Sequence, residues 1–156
     1  MYKVSFKDDF KKVERFDNKV TKVTLKGSIK DIFTPNSLGV PRSIIGWMID
    51  NWGDTDTIEV AGTAIRNDKD KDDPVLGERL AEARAKLKIY KLMKTFCHKM
   101  LKYYAQELYG IKTNNTITVI ASEQESYDDS LLKAYKKYDR LIDVENTHIK
   151  QLLYDY

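Results

Sequence analysis

Cysteine is nearly absent from this chain: Cys97 stands alone among 156 residues. A single thiol closes no internal disulfide, so the fold is expected to do without covalent staples and to suit a reducing, cytoplasmic setting. Histidine is almost as scarce. Only His98 and His148 are present, and neither stands at a recognised metal-ligand spacing from a Cys, Asp or Glu, so no metal and no other cofactor is expected. Three prolines and seven glycines form no Pro-rich or Gly-Ser tract that would divide the chain into separate domains. No apolar run nears the ~18 residues of a membrane span. Lys3, Lys7, Asp8 and Asp9 occupy the place where a signal peptide would carry its apolar stretch. Phosphate loops, GxGxxG turns, GxSxG elbows and kinase motifs are missing as well. A single domain over 1–156 is expected, without catalytic residues and without a membrane partner.

Charge is what the chain has in abundance, and it is unevenly spread. Charged residues make up 33% of the composition and the net charge is only +3. Between Arg79 and Lys112, however, nine basic residues face only Glu82 and Glu107. An acidic stretch precedes this segment (Asp68, Asp70, Asp72, Asp73, Glu78), and the chain from Glu123 onward is acidic again. Positive charge is therefore concentrated on one element. The alternating aspartates of 68–73 lack the glycine and glutamate that close a calcium loop, so they read as a solvated turn.

Periodicity sorts the chain into strands and helices. Residues 2–6 and 19–29 place Val, Thr, Leu and Ile at alternate positions among lysines, the pattern of half-buried antiparallel strands. A loop over 34–41 follows, then a short helix with Ser43 as its expected cap, ending near Trp52 and Gly53. Residues 57–66 alternate again and read as a strand. Asp73 as N-cap and Pro74 in the first turn open a long helix, because proline lacks the amide hydrogen that a helix start leaves unpaired. Its apolar stripe runs through Leu80, Ala83, Leu87, Tyr90, Cys97, Leu101, Tyr104 and Leu108, interrupted by Lys94, with Gly110 as the stop. A strand over 116–121 and a last helix from Ser126 or Asp128 complete the chain, with Glu145 falling in the apolar seam of that helix. The fold class is α+β: a mainly β head over 1–73, then two long amphipathic helices with an intervening strand over 74–156. Helices of roughly 50 and 40 Å exceed what a small sheet covers. They are expected to pack on each other or across a homo-oligomer.

The candidate site is a basic stripe. Arg84, Lys88, Lys91, His98 and Lys102 recur three or four residues apart, with Thr95 between them, and so share one helical face. A phosphate-bearing partner fits such a face, whether a nucleotide or a nucleic acid, with Arg66 and Arg79 converging on it. Surface lysines kept merely for solubility are the plain alternative. Trp47 and Trp52 most simply pack in the core, but Trp52 would offer a stacking face to a base if the loop around Gly53 opens. Cys97 lies in the apolar stripe and behaves as a small hydrophobe; next to His98 on a helix it points about 100° away and makes no dyad.

Gly62-Thr63-Ala64, Asp70, Asp73, Gly77, Ala81 and Arg84-Ala85 together form GxA, an acidic loop and GxxxAxxRA. This pattern resembles a motif of small proteins from phages of Gram-positive bacteria, a group similar to double-stranded-RNA-binding-like α/β folds and near anti-Thoeris sponges. The resemblance covers about 24 residues, and Pro74 falls later than the proline of that group. It implies a non-enzymatic, counter-defence protein of the host cytoplasm that binds an anionic ligand, with ligand contact at Arg84. A second class is an inhibitor that engages a host defence protein through its helical surface, and a third is a protein that binds double-stranded nucleic acid. The motif also has a plain packing reading: Gly62 and Ala64 let a helix approach the sheet, and Gly77, Ala81 and Ala85 supply the small opposing face.

Overall fold

The computed structural model describes residues 5–30, 41–53, 57–66, 73–109 and 129–154. It begins with a hairpin of β1 (Ser5–Phe16) and β2 (Val20–Lys30), paired antiparallel. Asp17 and Asn18 make its turn with φ angles of 53° and 55°. Asp and Asn tolerate this left-handed region better than other side chains, and a type I′ turn requires it at both central positions. The Lys19 N–H donates back to the Phe16 carbonyl at 3.0 Å.

The first strand is thus much longer than the expected 2–6. Among the described residues β1 is an edge strand, paired on one side only. Many of its side chains therefore stay in water as charged residues, and the apolar alternation of a half-buried strand is diluted. Its register slips between Asp8 and Phe10, a bulge that adds twist to an edge.

The short helix α1 (Arg42–Trp52) starts one residue before its expected cap: Pro41 is the N-cap and no side chain caps it. Ser43 sits inside the first turn instead. The helix ends as expected, with Gly53 at φ 82° donating its N–H to the Ile49 carbonyl at 3.1 Å, the left-handed stop that glycine adopts without steric cost. β3 (Thr57–Ile65) then completes a sheet of order β1-β2-β3.

Helix α2 (Pro74–Tyr109) opens as its sequence indicates: the Leu76 N–H donates to Asp73 Oδ1 at 3.0 Å. It contacts β2, β3, α1 and the last helix, α3 (Asp129–Tyr154). The architecture is α+β, with the two long helices packed on each other within one chain. The expected strand over 116–121, most of the 34–41 loop and the acidic run of 67–72 lie outside the described residues.

The decisive packing contact lies at Gly62. Opposed residues of paired strands share a face, so Val23↔Gly62 and Thr21↔Ala64 place these four on the side that α2 covers. A Cβ on Gly62 would overlap the Ala81 carbonyl and lie 2.5 Å from the Ala85 nitrogen. Only glycine lets the helix backbone come this close. Ala81 and Ala85 are wholly buried, and from them a second stripe continues through Ile89, Met93, Phe96 and Met100, all buried. α2 therefore buries two faces. The stripe expected from periodicity includes the α3 side, where Tyr90 meets Tyr138 at 6.2 Å; the other meets the sheet and α1, where Phe96 lies 5.2 Å from Trp52.

Gly62→Ala is expected to destabilise the protein by about 3 kcal/mol or more, because backbone rather than a flexible side chain opposes the new methyl. Gly77→Ala serves as the contrast. Its Cβ would meet only the Thr21 side chain, Oγ1 at 3.0 Å and Cβ at 3.7 Å, of which the hydroxyl can rotate away, and alanine favours a helix by up to ~1 kcal/mol. Urea unfolding of the two variants checks the difference; comparable losses would contradict a special role for the Gly62 approach.

Candidate functional site

With one flank of α2 against the sheet and α1 and the other against α3, a strip of the helix is left open to solvent. Lys88, Lys91, Thr95 and Lys102 on it are exposed, and Arg84 and His98 are half-buried. The stripe expected from spacing is thus a continuous surface feature. Two hollows flank it. One, of about 420 Å³, lies between α2 and α3 and is lined by Lys91, Lys94, Thr95, His98, Tyr135 and Ile142. The other, of about 430 Å³, lies between α2, α1 and β3; Asn51, Val60, Ala61, Lys88 and Leu92 line it together with Lys91 and Thr95. The shared Lys91 and Thr95 form the ridge between them.

The cations of this region differ in what already holds them. Lys94 Nζ donates to Asp139 Oδ1 of α3 at 2.7 Å, and that hydrogen bond raises its pKa above the ordinary lysine value against the opposing effect of burial. This explains the break in the apolar stripe: Lys94 spans the helix–helix seam to a carboxylate. Arg84 and Lys88 reach the other way, to β3. Arg84 Nη1 donates to the Thr63 carbonyl at 2.7 Å and Lys88 Nζ to the Ala61 carbonyl at 2.6 Å. Among the described residues β3 is the edge opposite β1, and these two side chains occupy acceptors along it, which hinders another strand from pairing there. A lysine ammonium has three donors and a guanidinium five, so neither is exhausted. The ammonium groups of Lys91 and Lys102 have no hydrogen-bond or ion-pair partner among the described residues.

His98 is the remaining titratable group in the strip. Burial and the neighbouring Lys102, Lys99 and Lys94 lower its pKa below the ordinary histidine value, so at neutral pH it presents an uncharged ring, 6.2 Å from that of Tyr135. The Cys97 thiol is buried and pushed up to about 12 by desolvation, which leaves it inert as a nucleophile.

The other sequence candidates fall elsewhere. Arg79 is exposed but lies five residues before Arg84, about 140° round the helix. Arg66 donates through Nε to the Asn18 carbonyl at 3.1 Å, tying β3 to the hairpin turn. Neither lines the two hollows. Trp52, considered for stacking if the loop around Gly53 opens, has a ring 3% exposed and packed between Trp47 and Phe96, and its buried Nε1 finds no acceptor among the described residues. Trp47 is the more open of the pair, with Lys99 Nζ 5.4 Å above its ring. Spacing along α2 alone could not reveal Tyr135, Ile142, Asn51 and Val60, which reach the strip from other elements.

Comparison with protein-family models, with curated proteins and with solved structures found no match. Among the described residues there is no cluster of three or more His, Cys, Asp and Glu side chains suited to a metal ion, and no helix long and apolar enough to cross a membrane.

The state of His98 has a measurable consequence. A folded-state pKa below the unfolded value near 6.5 means that the unfolded chain takes up the proton first as pH falls. The contribution to stability is then full above the unfolded pKa and is lost as acidification proceeds toward the folded one. Between roughly pH 7.5 and 5.5 the wild type is expected to lose more thermal stability than His98→Gln. Equal losses in the two proteins would contradict this account of the ring.

Proposed function

We propose that this is a non-enzymatic binding protein that holds a phosphorylated anion along the open strip of α2. One observation carries the reading: Lys88 and Lys91 line a concave surface with no carboxylate paired to either among the described residues. Hollows of ~300–1,000 Å³ are the size of ordinary ligand sites, and an ammonium beside a partly apolar wall binds phosphate more strongly than one in open water. Lys88 is held in place by the Ala61 carbonyl, which reduces the ordering cost of binding.

The ligand is a nucleotide signal or a nucleic acid, and the resemblance in the Gly62–Ala85 region supports a biological setting for it. A phage-encoded protein in the host cytoplasm would sequester such a signal and so counter a host defence. Close helix–sheet packing accounts for Gly62, Ala81 and Ala85, so within that motif Arg84 is the residue that adds charge to the strip.

A second reading, an inhibitor or homo-oligomer acting through the last helix, draws on Val144, Leu153 and Tyr154, large apolar side chains that α3 leaves exposed. Mass by light scattering, and capture of a host protein that survives Lys91 substitution, would favour it.

Lys91→Glu is the cleanest test of the first reading, because the Lys91 ammonium has no structural partner to lose among the described residues. It is expected to weaken binding of phosphate-bearing ligands at least ~tenfold, the worth of one charge-assisted contact, with thermal stability unchanged. Lys102→Glu probes the far end of the strip and is expected to cost less. Unchanged melting temperature of the wild type across nucleotides, cyclic oligonucleotides and nucleic acids would remove the reading.

A further inference from the structure

The two hollows look alike in size but not in charge, and the difference specifies a ligand. Apart from Lys91 on the shared ridge, the α2–α3 hollow contains two nominal cations, Lys94 and His98, and neither offers free charge. Asp139 neutralises Lys94 at 2.7 Å, and the His98 ring stands uncharged beside Lys94, Lys99 and Lys102. What remains is a cleft of flat and aliphatic surface. Tyr135 has the Lys94 ammonium 5.6 Å from its ring centroid and the His98 ring at 6.2 Å, and Ile142 lies alongside. Across the ridge the balance reverses, since Lys88 and Lys91 both line that hollow without a carboxylate paired to either among the described residues. On the ridge itself, the Thr95 hydroxyl donates to the Lys91 carbonyl at 2.9 Å. Its proton is committed, so its oxygen faces a ligand as an acceptor.

In order along the surface the chain therefore presents an uncharged aromatic cleft, a hydroxyl-accepting oxygen and a pair of ammonium groups. Resting on the anion-binding reading above, we propose that the ligand is a free nucleoside phosphate bound in one orientation: base against Tyr135 and His98, sugar hydroxyl on Thr95, phosphate on Lys91 and Lys88. Each part of such a molecule meets its complement. A base stacks on aromatic rings without a charge requirement, a sugar hydroxyl needs an acceptor, and a phosphate needs paired cations. Asp139 is the residue that sets the orientation. By holding Lys94 it keeps the cleft uncharged and so denies the phosphate a second place to bind.

The test is isothermal titration of the intact chain with adenosine 5′-monophosphate, ribose 5-phosphate, inorganic pyrophosphate and an adenine octanucleotide. The mononucleotide is expected to bind roughly tenfold or more tighter than ribose 5-phosphate, the contribution of one base stacked on an aromatic side chain. Tyr135→Leu is expected to erase that gap while leaving the ribose 5-phosphate affinity unchanged, whereas Lys91→Gln weakens both ligands in proportion. Asp139→Asn, at a side chain 54% exposed whose loss the fold should tolerate, releases Lys94; it is expected to strengthen pyrophosphate binding severalfold and to narrow the preference for the mononucleotide. Equal affinities for the mononucleotide and ribose 5-phosphate would overturn the orientation and leave the anion-binding reading standing. Absence of binding by any of the four would overturn both. An octanucleotide that binds more than tenfold tighter than the mononucleotide would overturn the free ligand in favour of single-stranded nucleic acid.

Discussion

The surface described here depends on one close approach, that of the α2 backbone to β3 at Gly62. Because no Cβ separates them there, the helix lies low on the sheet, near enough for Arg84 and Lys88 to reach the Thr63 and Ala61 carbonyls. A helix standing farther from the strand would leave those acceptors to water and the two side chains to many rotamers. The packing contact and the placement of charge are thus one arrangement. The small residues set the distance, and the long cations one turn further along exploit it.

α2 is a helix with two buried faces and one open strip, and this limits what the strip can be. Its width is fixed by the sheet and α1 on one side and by α3 on the other, so the hollows beside Lys91 are built from four different elements. α3 also contributes the carboxylate that neutralises Lys94, and in its own seam Glu145 is buried with His148 Nδ1 3.0 Å from its carboxylate. Elsewhere Lys11 of β1 meets Glu78 and Glu82 of α2, each at 2.9 Å. Exposed pairs of this kind stabilise little individually, but they dispose of charge away from the strip. On α2 itself Lys86 lies 3.7 Å from Glu82 and Lys94 2.7 Å from Asp139, whereas Lys88, Lys91 and Lys102 have no ion-pair partner among the described residues.

The fold was legible in the sequence where one pattern ruled a segment. Alternation marked β2 and β3, Asp73-Pro74 marked the start of α2, and Gly53 marked the end of α1. Where two demands overlapped, the pattern blurred. β1 carries so many charges that its alternation is lost, although the Asp17-Asn18 pair was a turn signal available to read. The three-four stripe through Leu80 and Cys97 concealed a second one through Ala81, Ile89 and Phe96, since a helix buried on two sides has a weakened apolar asymmetry. For the site, spacing alone aligned Lys88, Lys91, His98 and Lys102. It could not show that Arg66 serves the hairpin, that Trp52 serves the core, or that Asp139 comes across to Lys94, because those facts belong to the tertiary arrangement.

The central claim is that a phosphate-bearing ligand meets Lys88 and Lys91 specifically, rather than whichever lysines are exposed. Lysine side-chain resonances followed during titration with a nucleoside monophosphate address it directly. The account predicts that the ε-methylene signals of Lys88 and Lys91 shift saturably while those of Lys11 and Lys26, on the sheet, stay still. A uniform, non-saturating drift of all lysine signals would contradict it.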